Sequence, residues 1–283
     1  MGDGTVPAGR AAGIHPTGQQ HGQRRAIAGL APMAHRSDAG AAPARNTGVS
    51  STTSGTTPMN TSTRFNIYAP VHKALRLFMT DTLTALSRLD LGDTQDLAAG
   101  LNQLDALLDA ASSHLQHEND FIHPAIEARS PGLSGRIATE HREHLDAIAT
   151  LRAQAAALRA EPEAAAAHRL YRQLATFIAE NFEHMDVEET RHNQALWAAY
   201  GDDELEAIEN RILASIGQQE MSQWLRWMLP AFNPAERARL VAGLPPQAQA
   251  PVLSSARALL NDVAWGKLCR ALGHAPVPGL IRI

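Results

Sequence analysis

The sequence has little of what marks several common classes of protein. It contains one cysteine, Cys269, among 283 residues, so no intramolecular disulfide can form and a site built from several thiolates is excluded. Aromatic residues make up only 5% of the chain. No apolar run approaches the roughly 20 residues that a membrane-spanning helix needs. We therefore expect no membrane segment, and the low cysteine content fits a cytoplasmic location.

The sequence also has no large excess of positive or of negative charge. The net charge is -4, from 25 Lys and Arg against 29 Asp and Glu, which gives no electrostatic reason to expect a nucleic-acid partner. The content of 44% hydrophobic and 19% charged residues is ordinary for a globular protein. Because Ala and Leu dominate, the composition favours helices, and we predict an all-α fold.

The first 63 residues are rich in Ala, Gly, Ser, Thr and Pro and show no periodic apolar pattern. Such a segment cannot bury enough apolar surface to offset the entropy lost on ordering, so we expect residues 1–63 to be disordered. The segment also lacks the apolar core of a secretory signal. We hypothesise that Met59 is the true start and that the preceding residues are a mispredicted extension.

A helix bundle is predicted for residues 64–200. Apolar and histidine positions from Tyr68 to Arg191 recur at alternating steps of three and four, which is typical of bundle seams. Short loops make successive helices antiparallel, so we predict an up-down-up-down four-helix bundle. Ser134 is the expected cap of the third helix, and Pro124 is expected to kink or end the second. The predicted helices run over about 67–91, 94–123, 134–158 and 163–199.

Additional helices are predicted for the C-terminal extension, residues 201–283, which carries no metal, phosphate or catalytic motif. The apolar segment 221–229, which includes Trp224 and Trp227, favours packing against the bundle. The alternative is a face for a partner or a homodimer, because exposed Trp and Met mark interfaces. These helices are expected over 203–216, 219–229, 234–242 and 250–272.

Histidine is the unusually abundant residue. Thirteen are present, and nine lie between Thr61 and Tyr200. The pattern His-x-x-x-Glu occurs twice, as His114 to Glu118 and as His184 to Glu188. Residues four apart on a helix lie on the same face, so each pattern presents an imidazole beside a carboxylate. Two such helices facing each other can hold a pair of metal ions.

Residue counts from the predicted turns place these groups at one depth of the bundle. His72 lies about 20 residues before the first turn and His114 about 22 after it, each roughly 30 Å away at 1.5 Å per residue. The same count places Glu118 level with His144, and His141 level with His184. Imidazole and carboxylate without thiolate suit iron, manganese or zinc. The groups expected to converge are His72, His114, Glu118, His141, His144, His184 and Glu188.

On these residues the sequence resembles the hemerythrin-like (HHE cation-binding) family over about residues 65–200. The resemblance rests on a lone histidine early in the first helix, a Glu-His in the third, and the two His-x-x-x-Glu patterns, the first of them followed by a proline. It implies a non-haem centre of two iron ions, with zinc or manganese less favoured. In that centre Glu118 and Glu188 would bridge the metals. The terminal ligands would be His72, His114, His184 and one or two histidines of the third helix.

The third helix departs from the family's pattern. Oxygen-carrying members have His-x-x-x-His there, whereas His141 and His144 are three residues apart. Either histidine can be the ligand with the other beside it, or both can bind. A site with four histidines would leave both metals open and favour redox chemistry or sensing, and five would favour asymmetric binding of dioxygen. Glu188 stands where oxygen carriers use an Asp one residue further on, which also points away from a pure carrier.

The polar neighbours of these patterns are expected to have ordinary structural roles. His117 points about 60° away from His114 around the helix and is expected beside the ligands or at the surface. Asn181, one turn before His184, can hydrogen-bond within the site. The remaining neighbours are expected on solvated faces or at the boundary of the core: His123, His168, His192, Glu140 and Glu189.

The resemblance implies a protein that binds or senses dioxygen, nitric oxide or peroxide at an open metal site. A redox activity fits this function, although a binding role is favoured over an enzymatic one. One alternative is iron donation for iron–sulfur cluster repair, but members with that role commonly carry a Cys-bearing N-terminal extension that this sequence lacks. Another alternative is a helical interaction protein whose metal is structural.

Overall fold

A computed structural model describes residues 64–274, which form helices joined by short turns. No β-strand occurs in this range, which confirms the predicted all-α fold. The proposed disorder of residues 1–63 and the start at Met59 lie outside the described residues. The elements are α1 (Ala69–Ser87), α2 (Thr94–His117), π1 (Glu118–Ile122), α3 (His123–Arg129), α4 (Gly135–Ala160), α5 (Ala164–Val187), π2 (Glu188–His192), α6 (Asn193–Ala199), α7 (Asp202–Ser215), α8 (Gln218–Ala231), α9 (Pro234–Ala242), α10 (Pro246–Leu259) and α11 (Asp262–Ala271).

The long helices α1, α2, α4 and α5 surround one apolar core. Helix α1 packs against α2 and α5, and α4 packs against the same two helices. This ring of contacts is consistent with a four-helix bundle. The recurring apolar and histidine positions of α4 are all buried, and most of those in the other three helices are buried too. Those of α4 are Ile137, His141, His144, Ile148, Leu151, Ala155 and Leu158. Each fully buried Leu or Phe contributes about 1.5–3 kcal/mol through removal from water.

The second and fourth predicted helices each contain a π-helical turn that the sequence reading did not anticipate. Helix α2 passes into π1 at Glu118, and α5 passes into π2 at Glu188. The helix does not end at Pro124 but runs on as α3 to Arg129. A π turn inserts an extra residue, so the face that follows it is rotated by about 100° relative to a continuous α-helix. Such turns occur frequently at functional sites.

The C-terminal helices pack against the bundle and against one another. Helix α8 lies along α1, where the ring of Trp227 stacks on Phe78 with centroids 4.0 Å apart. Trp224 is only 4% exposed and belongs to the same core. The favoured interpretation of segment 221–229, packing against the bundle, is therefore confirmed. In the described part of the chain, no helix is both long and apolar enough to cross a bilayer.

One prediction about helix ends was wrong, and the prediction of Ser134 as a cap is confirmed in its position only. The expected helix over 250–272 is interrupted between α10 and α11, because the Asn261 side chain accepts a hydrogen bond from the Ala264 N–H and begins a new helix. Ser134 precedes α4, but its side chain caps no backbone group there. Its hydroxyl instead donates to Glu127 Oε1 at 2.7 Å.

Candidate metal centre

Two pairs of imidazoles meet inside the bundle. In pair 1, His72 of α1 and His114 of α2 place their Nε2 atoms 3.2 Å apart. In pair 2, His141 of α4 and His184 of α5 place theirs 3.1 Å apart. All four side chains are buried. Each of the four long helices therefore contributes one histidine to the same region.

Glu118 and Glu188 lie between the two pairs. Glu118 Oε1 is 3.2 Å from His114 Nε2 of pair 1, and its Oε2 is 3.4 Å from His141 Nε2 of pair 2. Glu188 Oε2 is 3.5 Å from His72 Nε2 of pair 1, and its Oε1 is 3.3 Å from His184 Nε2 of pair 2. Both residues are at most 1% exposed. Each carboxylate thus directs one oxygen to each pair.

Three of the four histidines are oriented by a hydrogen bond at Nδ1. An ionised carboxylate or an amide oxygen can only accept, so Nδ1 must carry the proton of these bonds. In the neutral imidazole, Nε2 then presents a lone pair to the interior. The bonds join His72 to Glu189 Oε1 at 2.9 Å, His141 to Asn119 Oδ1 at 2.8 Å and His184 to Glu140 Oε2 at 2.9 Å.

The expectation that Glu140 and Glu189 lie on a solvated face was therefore wrong. Both are half-buried and bond to a histidine on another helix. Each also receives an arginine, Arg136 Nε at 2.6 Å from Glu140 and an Arg76 guanidinium nitrogen at 2.5 Å from Glu189. Although burial opposes it, the histidine and arginine partners lower the pKa of both carboxyls. Both groups therefore stay ionised and keep accepting the imidazole proton.

A bound cation would give partners to the buried carboxylate oxygens and imidazole nitrogens at the centre of the bundle. In pair 2 the two Nε2 atoms face each other at 3.1 Å, and within residues 64–274 none of the four oxygens of Glu118 and Glu188 has a hydrogen-bond donor. An unpaired buried acceptor costs about 1–3 kcal/mol. Metal–nitrogen bonds of about 2.1 Å at right angles would place two nitrogens about 3.0 Å apart, close to the separations in both pairs. The residues therefore fit a bound metal cation.

The two donor sets share both carboxylates. Within each set the ligand atoms lie within 4.8 Å of one another and every residue is buried. Burial, followed by the charge of Glu188, raises the pKa of Glu118 well above its usual range. Metal binding would therefore compete with protonation of this carboxyl. The sets are His72, His114, Glu118 and Glu188, and Glu118, His141, His184 and Glu188.

His144 is buried beside the second set but contributes no atom to it. Its ring centroid is 4.8 Å from that of His184, and its Nδ1 has no hydrogen-bond partner. Burial lowers the pKa of His144 to about 4, so the ring is neutral at physiological pH. The structure thus brings six of the seven predicted residues together and leaves His144 adjacent to them. The two donor sets together contain four histidines.

His123 and His192 are buried, with exposures of 5% and 1%, contrary to the prediction. Both lie at or after the π turns, and together with Glu188 they form a further group of possible ligand atoms. His192 stands four residues after Glu188, so the spacing rule that found the ligands could also have found it. His123 stands five residues after Glu118 and points inward because π1 rotates the helix face. Tyr68, also buried, contacts His192 Nδ1 through its hydroxyl at 3.3 Å.

The other expected neighbours behave as follows. His168 is exposed, as predicted, and His117 is half-buried next to Phe121. Asn181 is buried, but its amide donates to the Phe177 carbonyl at 2.8 Å and not to a metal-site residue. It therefore supports the backbone of α5 one turn before the site.

Comparison with known proteins agrees with this geometry. The family model described as the hemerythrin HHE cation binding domain matches residues 65–193. Neither the curated proteins nor the solved structures yield a significant match to the chain. The matched range includes all six converging residues and both π turns, and it excludes α7 to α11. Over these residues, a little under half of the chain, the sequence is therefore similar to the hemerythrin HHE cation binding domain.

Proposed function

We propose that this domain binds two iron ions and uses them to bind or sense dioxygen, nitric oxide or peroxide. The observation that supports the proposal is the pair of donor-free carboxylates between two pairs of imidazoles. A set of nitrogen and oxygen donors without thiolate suits iron, manganese or zinc. Iron is favoured by the family resemblance. The supporting scaffold would be an up-down-up-down four-helix bundle, in which the four ligand helices meet at one depth.

Each side chain has a separate role in this proposal. His72 and His114 would hold one ion, His141 and His184 the other, and Glu118 with Glu188 would bridge them and offset part of their charge. When bound, iron supplies reversible ligand binding and electron transfer to an oxidant.

The surrounding hydrogen bonds orient the ligands. Glu189, Asn119 and Glu140 accept the Nδ1 protons and so fix the tautomer in which Nε2 faces the metal. The charge-assisted bonds to Glu140 and Glu189 also make the imidazoles more basic ligands. With only two imidazoles and two carboxylate oxygens for each ion, coordination positions remain for a small ligand.

Metal analysis and spectroscopy of the full chain test this proposal. We expect about two iron ions per chain after anaerobic loading with Fe²⁺, and new near-ultraviolet and visible absorption when dioxygen is added. The variants His114→Ala and Glu188→Ala should lose iron. Glu183→Gln, a change on the exposed face of α5, is the matched control and should keep it. Full retention of iron in both site variants would rule out the ligand assignment.

The same measurements distinguish a redox-active iron site from a structural metal site. A colourless protein that binds zinc more tightly than iron, with no spectral response to dioxygen or nitric oxide, would contradict the redox proposal. Its helical content would then be unchanged by oxidation.

A further inference from the structure

A cavity of about 100 Å³ lies between the HHE domain and the C-terminal helices. One end reaches two of the proposed metal ligands, His114 and Glu118. Other lining residues come from the C-terminal helices, with Ile212 and Leu213 in α7 and Met221 and Trp224 in α8. Since the family match ends at residue 193, about half of the lining comes from outside the matched domain.

Hydrogen bonds and ring contacts fix this wall next to the metal site. The Trp224 ring lies 6.4 Å from the His114 ring in an edge-to-face arrangement. Gln223 Nε2 donates to the Ala106 carbonyl of α2 at 2.9 Å. Glu220 Oε1 accepts from both the Ser113 hydroxyl of α2 and the indole N–H of Trp224. The start of α8 is thus attached to the helix that carries His114.

Polarity and size together select what the cavity can hold. A dry apolar cavity of roughly 150 Å³ holds benzene or xenon, so this space accommodates a molecule of a few heavy atoms. A charged ligand would lose its hydration without compensation from the apolar walls. Glu209 also lines the cavity. Burial and the neighbouring Glu206 raise the pKa of Glu209 to about 7, so much of this carboxyl is uncharged near neutral pH.

We propose that α7 and α8 complete a dry chamber that admits small uncharged apolar molecules and leads them to the His114 side of the metal site. The binding of such molecules is independent of the metal, whereas their delivery to it rests on the function proposed above. The chamber would also limit which of the three proposed ligands reach the metal site easily. Dioxygen and nitric oxide are favoured over hydrogen peroxide, because moving its two hydroxyl groups from water to a mainly apolar lining costs more free energy than moving an apolar gas.

Xenon is the probe that tests the chamber without any metal chemistry. In the metal-free full chain, the ¹²⁹Xe resonance should shift with protein concentration because the gas exchanges with a bound site. Ile212→Trp places a larger ring in the chamber and should remove this shift. Ala214→Trp, on the exposed face of the same helix, is the matched control and should preserve it. An unmodified chain that gives no more shift than a helical protein without a cavity would overturn the proposal, whether or not the variants fold.

Delivery is tested in the iron-loaded protein by stopped-flow mixing. Ile212→Trp should slow the reaction with dioxygen at least tenfold at unchanged iron content, and should slow the reaction with hydrogen peroxide much less. Equal rates in the variant and the parent, with xenon excluded, would overturn the delivery role. Failure of the protein to bind iron would refute the proposed function, and the xenon result would still decide whether the chamber binds apolar molecules.

Discussion

Replacing Glu118 by glutamine should stabilise the metal-free protein and abolish its stabilisation by iron. The Glu118 side chain is 1% exposed, and neither of its oxygens has a hydrogen-bond donor. Its neighbour Glu188 is also buried and without a donor. Glutamine has nearly the same shape, carries no charge and offers an N–H₂ group to the Glu188 carboxylate. The substitution therefore removes an electrostatic conflict that the parent protein relieves only by binding a cation or by protonating Glu118.

The gain in stability of the metal-free variant and its loss of stabilisation by iron are both large enough to measure, and they change Tm relative to the parent in opposite directions. Satisfying buried acceptors that had no partner is worth about 1–3 kcal/mol. For a chain of this size each kcal/mol changes Tm by about 2–4 °C, so the metal-free variant should melt about 2–12 °C higher. Iron at a free concentration of 1,000 times its Kd would stabilise the parent by about 4 kcal/mol. The variant should show little of this gain, because a neutral amide is a poor bridging ligand.

Thermal unfolding followed by circular dichroism, with chelator or with anaerobic Fe²⁺, measures both effects. Asp120→Asn is the control, because this residue is exposed in the same π turn. It should change stability by less than about 0.5 kcal/mol in either condition. A metal-free Glu118→Gln protein that melts below the parent, or that still gains the full increment from iron, would refute the reasoning.

Three further predictions concern the surroundings of the site. Glu189→Ala removes the Nδ1 partner of His72 and should weaken iron binding about 10–100-fold in an anaerobic titration, whereas Glu183→Ala should not. Phe78→Ala removes the stacking partner of Trp227 and should lower the free energy of unfolding by about 3–5 kcal/mol, as measured in urea. Val263→Ala, at an exposed position, is the control and should lower it by less than about 0.5 kcal/mol. Glu209→Gln should stabilise the protein at pH 8 by about 1–3 kcal/mol and little at pH 4. The folded-state pKa is raised to about 7, so the parent loses stability as the pH rises from about 4.5 through 7. Urea unfolding at the two pH values checks the sign.

The part of the site predicted from the sequence follows from regular α-helical spacing. His114 with Glu118 and His184 with Glu188 were identified because residues four apart share a face. The seam of α4 was predicted at every position because that helix keeps its period from end to end. Where a helix is regular, the number of residues from a turn also gives the depth of a side chain in the bundle. That count placed His72 at the same depth as His114.

The errors arise where the helix changes its period or where a partner lies on another helix. His123 was missed because π1 adds a residue that no spacing rule anticipates. Glu189 and Glu140 were assigned to solvent, although their hydrogen bonds cross 117 and 44 residues of sequence. The choice between His141 and His144 had the same origin. Both lie in one seam, and only the approach of α5 brings His141 rather than His144 to 3.1 Å from His184 Nε2.

The most direct test of the two-metal assignment is the number of iron ions bound per chain in an anaerobic titration, measured on the parent and on Glu118→Gln together. Because both donor sets share Glu118 and Glu188, we predict two ions for the parent and loss of both when one of these carboxylates is removed. A parent that binds a single ion, or a variant that retains two at unchanged affinity, would contradict it.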